Sequence, residues 1–416
     1  MRAEFKFYNV GQGCFYGGAI EHNKTKFVVV YDCGSVTKGK PLKPAINEFK
    51  QKFSHIDLLI ISHFDQDHVN GIEDLIKGIR VARIIMPYMP LWYRILLISK
   101  TSGDIDSYTS MLLNPTTYFL QGDFTVGKVH YIDQAPNEEF NEESEPNNDP
   151  KFDRELDPNE EIGDLNLLEP LEDEKVKQRI LGEEPELNDK DVSFLPSDAI
   201  FRIENSLWEF LFYHKETKLQ TDITDFQNAV QNYMSIKGIL KLRDLFTLSN
   251  NMVINKIYKD HINKNINYSS LCLYHGPLFK TKVWGSEVYV LKNTYKMVFS
   301  PYYFYAAGNT LKSGTLLTGD QFLKNSKDFD PFYNYYKTRL DKTLVFQVPH
   351  HGSLKNWKMM PNELNSHNIK CFVINHGYGR KKHPEKNMLQ NILIFANPLI
   401  LNNEFTHFQY GIIPCN

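Results

Sequence analysis

The sequence predicts an α/β fold: a strand-rich core in two sequence halves, separated by a largely helical and acidic stretch. Three observations lead there. Short β-branched runs alternate with turn signals over roughly the first ninety residues, strand patterns return after about residue 265, and clusters of metal-capable side chains stand just past the ends of several of these runs. A chain of 416 residues has room for one large α/β domain with insertions, or for two modest domains.

The first half carries its strands in plain view. Lys26 to Tyr31 is a β-branched run ending at Asp32-Cys33-Gly34, Asp57 to Ile61 is a second buried strand, and Arg83 to Met86 is a third that Pro87 stops. Between the last two, Gly71 to Arg80 reads as a short helix with Ile72, Leu75, Ile76 and Ile79 apolar. Residues 87–135 are mixed and aromatic-rich, and 136–195 are rich in Glu, Asp, Asn and Pro, a composition of loops. Over 223–262, Phe226, Val230 and Met234, then Ile239, Leu242, Leu245 and Phe246, recur at helical spacing and read as core. Strands follow at Ser270 to Tyr274, Glu287 to Leu291, Thr315 to Leu317, Leu344 to Val348, Cys371 to Ile374 and Leu399 to Leu401. The division this gives is a first core half over 1–86, an insertion over 87–264 and a second core half over 265–416.

Composition narrows the class. Hydrophobic residues at 42% and charged residues at 23% are ordinary for a globular protein. Glu4 and Lys6 interrupt any apolar run at the N-terminus, so no secretory signal is expected there, and the most apolar window, Leu91 to Ser99, contains Arg94 and is too short to span a bilayer. A cytoplasmic protein without a membrane partner is expected. Cys14, Cys33, Cys272, Cys371 and Cys415 are scattered and odd in number, which argues against a disulfide framework and for small buried residues. The formal net charge of −3 hides an asymmetry: 138–191 carry −15 and the remainder +12. A basic body suits a polyanionic substrate, and the acidic run is read first as a solvated insertion. The sharper reading is a segment that competes with nucleic acid for the basic surface, as a defence or regulated effector would need. The insertion is also the place for a protein partner.

The chemistry concentrates in His63-Phe64-Asp65-Gln66-Asp67-His68, directly after the second strand. Packing two imidazoles and two carboxylates together without a cation would be costly. Asp320 ends Leu317-Thr318-Gly319-Asp320, His350 and His351 follow Val348-Pro349, and His376 and His383 follow the Cys371 strand. Imidazoles, terminal carboxylates and one carboxylate able to bridge are what a two-metal site needs.

These segments, with Asn9-Val10-Gly11-Gln12-Gly13, Tyr31-Asp32-Cys33-Gly34, His350-His351-Gly352-Ser353 and Asn267-Tyr268-Ser269-Ser270-Leu271, resemble the metallo-β-lactamase superfamily. The nearest likeness is to the hydrolase domain of ComEC-type DNA-uptake proteins, over about 5–86 and 265–390. The resemblance implies a four-layer αβ/βα sandwich with two divalent metals at one edge, and the insertion, which has no counterpart in the family, is expected to cap that edge. It implies that His63 and Asp65 hold one metal, that Asp67 and His68 serve the other and orient the attacking water, that Asp320 bridges, and that His383 is the last ligand. One of His350 and His351 resembles the proton donor beside the leaving group. Asp65 stands where most of the superfamily has histidine, which shifts preference from Zn²⁺ toward Mn²⁺ or Mg²⁺. The histidine usual between the first motif and the bridging aspartate is not evident. Asn267 stands near its place, with His130, His261 and His275 as lesser substitutes. Ser353 and His376 are further candidates for ligand or substrate contact.

The expected reaction is phosphodiester hydrolysis in DNA or RNA. Coordination would lower the pKa of a water from about 15.7 toward about 7, and the cations would neutralise the phosphate. His376 and Arg380-Lys381-Lys382 could meet flanking phosphates. Gly11 and Gly13 read as a tight turn, since no P-loop lysine follows. Tyr302, Tyr303, Phe304 and Tyr305, and Phe332, Tyr333, Tyr335 and Tyr336, read as core before base-stacking faces. The rivals are hydrolysis of a small molecule, such as a cyclic nucleotide or a lactone, and a degenerate domain that binds a partner through its insertion. A long positive groove would favour a polymer, a deep closed pocket a small substrate.

Overall fold

A computed structural model describes residues 1–101, 106–134, 165–204, 207–215, 223–246, 248–262, 269–279, 281–289, 298–302, 312–357, 362–380, 382–395 and 399–414. Their architecture is mixed α/β and built on two sheets. The ten-stranded sheet runs Val298–Tyr302, Thr281–Tyr289, Thr406–Pro414, Arg2–Phe7, Phe15–His22, Thr25–Cys33, His55–Ile60, Arg80–Pro87, Thr125–Ile132, Val192–Leu195. The eight-stranded sheet runs Leu399–Asn402, Cys371–Asn375, Thr343–Gln347, Gly314–Leu317, Cys272–Pro277, Trp208–Tyr213, Ile200–Ile203, Leu167–Leu168.

Alternation along the strands decides the layering. In Thr25–Cys33, Val29 and Tyr31 face the other sheet, while Val28 and Val30 face a helical layer that includes Leu42–Lys52 and Leu91–Lys100. In Cys371–Asn375, Cys371 and Val373 face the first sheet, and Phe372 and Ile374 meet Ser326–Leu340 and its neighbours. One apolar core thus lies between the sheets, and one lies on each outer face. Phe332, Tyr335 and Tyr336 are buried in the last of these, as core. The Tyr302 side chain and residues 303–305 lie outside the described residues.

Both sheets have a parallel region. Thr25–Cys33, His55–Ile60, Arg80–Pro87, Thr125–Ile132 and Val192–Leu195 are parallel, and so are the four strands from Gly314–Leu317 to Leu399–Asn402. Parallel strands deliver the chain to one end of the sheet, where ligand crevices form. Beside that end the sheets are joined by Leu271 N–H, which donates to Ser62 O at 2.8 Å, and by the Tyr31 hydroxyl, which donates to Leu271 O at 2.9 Å.

The stretch 87–264 is not an insertion set apart from the core. It supplies Thr125–Ile132 and Val192–Leu195 to one sheet, and Leu167–Leu168, Ile200–Ile203 and Trp208–Tyr213 to the other. The helices Thr224–Lys237 and Leu248–His261 are where the apolar spacing puts them, and Phe226, Val230 and Ile254 join the outer core of the ten-stranded sheet. Much of the acidic run, 135–164, lies outside the described residues. Within the described part, Glu169 pairs with Arg83 and Lys128, and the buried Glu184 pairs with the buried Arg94. Those carboxylates are structural partners of the sheet and helices rather than a solvated face. Four cysteines are free and buried, and Cys415 lies outside the described residues. Among the described residues no helix is long and apolar enough to cross a membrane.

His275, a candidate ligand by sequence, is packed between the sheets instead. Its Nδ1 accepts from Trp208 Nε1 at 3.3 Å and its Nε2 meets the Tyr16 hydroxyl at 2.8 Å. Burial pushes its pKa down to about 3 from an ordinary 6.5. The unfolded chain therefore takes up this proton below about pH 6.5, while the folded chain does not until about pH 3. The stabilising contribution is full above pH 6.5 and falls as pH drops, by about 1.4 kcal/mol per pH unit for one such group. His275→Gln keeps polar partners for both neighbours without titrating. Urea unfolding between pH 7 and pH 5 should show a pH slope shallower by about one proton in the variant. An identical slope would mean that His275 does not stay neutral in the fold.

Candidate metal centre

Each site residue follows a parallel strand. Asp32 ends Thr25–Cys33, Ser62 and His63 follow His55–Ile60, Asp320 follows Gly314–Leu317, His350 and His351 follow Thr343–Gln347, and His376 and His383 follow Cys371–Asn375. The short helix Gln66–Val69 then carries Asp67 and His68 back over the strand ends. Gly34 permits this return, because a Cβ there would stand 2.5 Å from the Asp67 carbonyl carbon and from His68 N. Gly13 sits 2.8 Å from Asp67 O by the same measure, and Cys14 N–H donates to that oxygen at 3.0 Å. The Gly11-Gln12-Gly13 turn is thus a backbone support for the site loop.

Asp32, quoted in a motif but given no role by sequence, is the hub. It is fully buried and accepts from Ser62 N–H at 2.7 Å, from Ser62 Oγ–H at 2.6 Å and from His68 Nδ1–H at 2.7 Å. Since Ser62 spends its hydrogen on Asp32, its Oγ accepts from His63 Nδ1–H at 2.9 Å. Both imidazoles therefore turn Nε2 inward. Holding the far ring nitrogen in this way is how metal-ligating histidines are oriented.

Asp320 lies opposite. Its backbone N–H donates to Ser270 Oγ at 2.8 Å. Its carboxylate stands 3.3 Å from His68 Nε2, 3.7 Å from His63 Nε2 and 3.6 Å from His350 Nε2. His63 Nε2, His68 Nε2 and Asp320 Oδ1 are buried and have no hydrogen-bond partner. Three orphaned ligand atoms aimed at one point fit a cation.

A second group adjoins the first. His351 Nε2 is 3.1 Å from Asp67 Oδ2, its Nδ1–H donates to Asn375 O at 2.8 Å, and His68 completes the cluster. His350, His351 and Gly352 all take positive φ, at 49°, 54° and 81°. For the two histidines this left-handed backbone costs about 1 kcal/mol or more each, and the turn it makes aims both rings at the site. His350 is oriented in turn: its Nδ1–H donates to Asn356 Oδ1 at 2.6 Å, and Asn356 Nδ2 donates to Asp320 O at 2.9 Å.

The electrostatics match a site made for positive charge. Burial alone would raise the Asp67 carboxyl, but the hydrogen bond from His351 and the His68 charge outweigh it and hold the group at about 2. Asp320 is likewise held well below the carboxylate range, against burial, by His350 and His68. Burial would lower His68, yet the carboxylates of Asp320 and Asp32 hold it well above its ordinary value. Burial and the charge of His68 push His63 down.

Several expected members stand elsewhere. His383 joins neither group; its ring lies 5.6 Å from that of His350, nearly parallel, and burial beside His350 lowers it to about 4. His351 occupies the place beside Asp67 and His68 that the resemblance gave to His383. The two differ because the left-handed turn brings His351 inward, while His383 sits eight residues past its strand. Asp65 is the outer member, 37% exposed and 4.0 Å from His63. Ser353 is buried, and its Oγ accepts from Lys355 N–H at 3.2 Å, so it closes a turn rather than touching a ligand. His130 is buried near Glu169, and His261 ends its exposed helix turn, both apart from these clusters. His376 is buried beside the site with Nε2 unpartnered. Asn267 and Lys381 lie outside the described residues.

No protein-family model matches the chain, and no curated protein is similar to it. What the site can do is read from its atoms: these histidine and aspartate clusters can hold one or two metal ions, as a metal-binding enzyme requires.

Two outcomes follow for the isolated protein. Mn²⁺ at a hundred times its dissociation constant should raise the unfolding free energy by about 2.7 kcal/mol, and Asp320→Ala should lose most of that gain. An undiminished gain in the variant would put the ions elsewhere. Asp32→Asn, measured by competition with a chelating dye, should weaken metal binding about 10- to 100-fold, since Asp32 holds His68 by Nδ1 and leaves the inward Nε2 as the ligand atom.

Proposed function

We propose that the chain is a metal-dependent hydrolase of the metallo-β-lactamase fold type, acting on phosphodiester bonds of DNA or RNA. The observation that carries this reading is the convergence of His63, His68 and Asp320, and of Asp67, His68 and His351, on adjacent points beyond the strand ends. The order of these residues along the chain, and helical layers on the outer faces of two sheets, support the fold assignment.

Bound there, divalent ions would neutralise phosphate charge and lower the pKa of a water. His63 and Asp320 would serve one ion and Asp67 and His351 the other, with His68 common to both groups and the two Asp320 oxygens able to bridge. With His351 Nε2 given to an ion, the ionised Asp67 would keep an oxygen to accept a hydrogen bond from the attacking water and orient it. His350 is the better placed of the paired histidines to act as acid: it is 24% exposed against 3% for His351. With Nδ1–H committed to Asn356, an imidazolium at His350 has its Nε2 proton to give to the leaving oxygen. General acid catalysis of this kind is worth about 10²–10⁴-fold. Mn²⁺, Zn²⁺ and Mg²⁺ are the candidate ions, with the carboxylates favouring the harder ones.

A cleavage screen on single- and double-stranded DNA and RNA, with cyclic nucleotides and lactones as small-molecule arms, tests the assignment. Metal-loaded wild type should cut nucleic acid and lose the activity with EDTA. Asp67→Ala and Asp320→Ala should be inactive, and His350→Gln should be slowed about 10²–10⁴-fold with metal affinity retained. Turnover of a small-molecule arm alone would replace the nuclease reading, and equal activity in all variants would sink it.

A further inference from the structure

Two loops beside the metal centre form a rim that the ligands do not use. Residues 34–43 carry Lys38, Lys40 and Lys43, all exposed, and no acidic residue. Residues 376–383 carry exposed Tyr378, Arg380 and Lys382, again without an acidic residue. Both loops begin at the site: Gly34 packs on the Asp67–His68 backbone, and Asn375 O accepts from His351.

The loops are also tied to each other. Arg380 Nη2 donates to Val36 O at 3.2 Å, Gly377 N–H to Gln12 Oε1 at 3.3 Å, and Gln12 N–H to Thr37 Oγ1 at 2.6 Å. Tyr378 is 68% exposed. Its N–H donates to Glu404 Oε2 at 2.9 Å, and its ring meets Phe405 edge-on at 5.4 Å and 81°. That contact leaves a ring face toward solvent on a tethered backbone. Two carboxylates near the second loop accept backbone hydrogen bonds, Glu404 from Tyr378 N–H and Glu385 from Leu354 N–H at 3.1 Å.

An exposed aromatic face among cations recognises a polyanion that can also present an unstacked base. A duplex keeps its base faces covered, and a protein surface offers no regular line of negative charge. We propose that this rim binds single-stranded nucleic acid, with a base stacked on Tyr378 and phosphates on Lys38, Lys40, Arg380 and Lys382. The strand then passes from the rim to the metal centre. The inference takes its substrate class from the nuclease reading and adds strandedness and the residues that select it.

Binding measured in EDTA separates the rim from the chemistry. Fluorescence anisotropy with labelled oligothymidylate and oligouridylate, on the full chain, should show Tyr378→Ala weakening binding about 5- to 150-fold, the factor for about 1–3 kcal/mol of one stacked base. Tyr378→Trp should restore it. Lys38→Gln with Lys40→Gln should weaken binding and flatten the salt dependence, by about 0.7 in log–log slope for each phosphate that is no longer neutralised. A blunt duplex should bind without dependence on Tyr378, and the two oligomers decide between DNA and RNA. Wild-type affinity in both Tyr378→Ala and the lysine pair, or equal Tyr378 dependence for duplex, overturns the proposal. If no nucleic acid is cut yet Tyr378→Ala loses binding, the rim stands and the hydrolase reading falls. If cleavage is found but these variants bind as wild type, the rim falls alone.

Discussion

The site depends on one buried carboxylate. Asp32 has no solvent exposure, and a charge so placed is tolerated only where hydrogen bonds replace its water. Ser62 and His68 supply them, and in doing so they become oriented. The Ser62 hydroxyl passes the constraint on to His63. The need to satisfy Asp32 therefore aims two imidazoles at Asp320, and the same loop presents Asp67 to His351.

The sheets make this geometry possible by keeping the site at their edge. The core between them is apolar from Phe5 and Val29 on one side to Leu273 and Val373 on the other. His275 is tolerated within it because it stays neutral, while the buried Glu209 faces the outer layer and is paired there with Arg339. Beyond the parallel strand ends the backbone is irregular, with positive φ at Asp32, Gly319, His350 and His351. Strained backbone at a functional site persists because the packed sheets on either side over-determine it.

Charge is divided in the same spirit. Glu169 and Glu184 of the middle stretch are spent on pairs with Arg83, Lys128 and Arg94, which stitch that stretch to the sheet and helices. Lys38, Lys40, Lys43, Arg380 and Lys382 have no acidic residue in their own loops and remain toward solvent beside the metal centre. A negative site under a positive rim is the arrangement that draws in a polyanion and then holds cations against it.

Local chemistry in the sequence was enough for the mixed α/β class, for strands such as Thr25–Cys33 and Cys371–Asn375, and for the cluster from His63 to His68. Each of these is carried by neighbours within a few residues: β-branched runs, glycine stops, ligand types at short spacing. The middle strands escaped because Trp208–Tyr213 is buried on both faces and shows no alternation of polar and apolar residues. Only the folded chain decided that Asp32 orients His68, that His351 rather than His383 meets Asp67, and that Ser353 closes a turn. Asp67 and His351 stand 284 residues apart, and nothing local encodes their distance. Two sheets had to pack before residues from five strand ends could share one small volume.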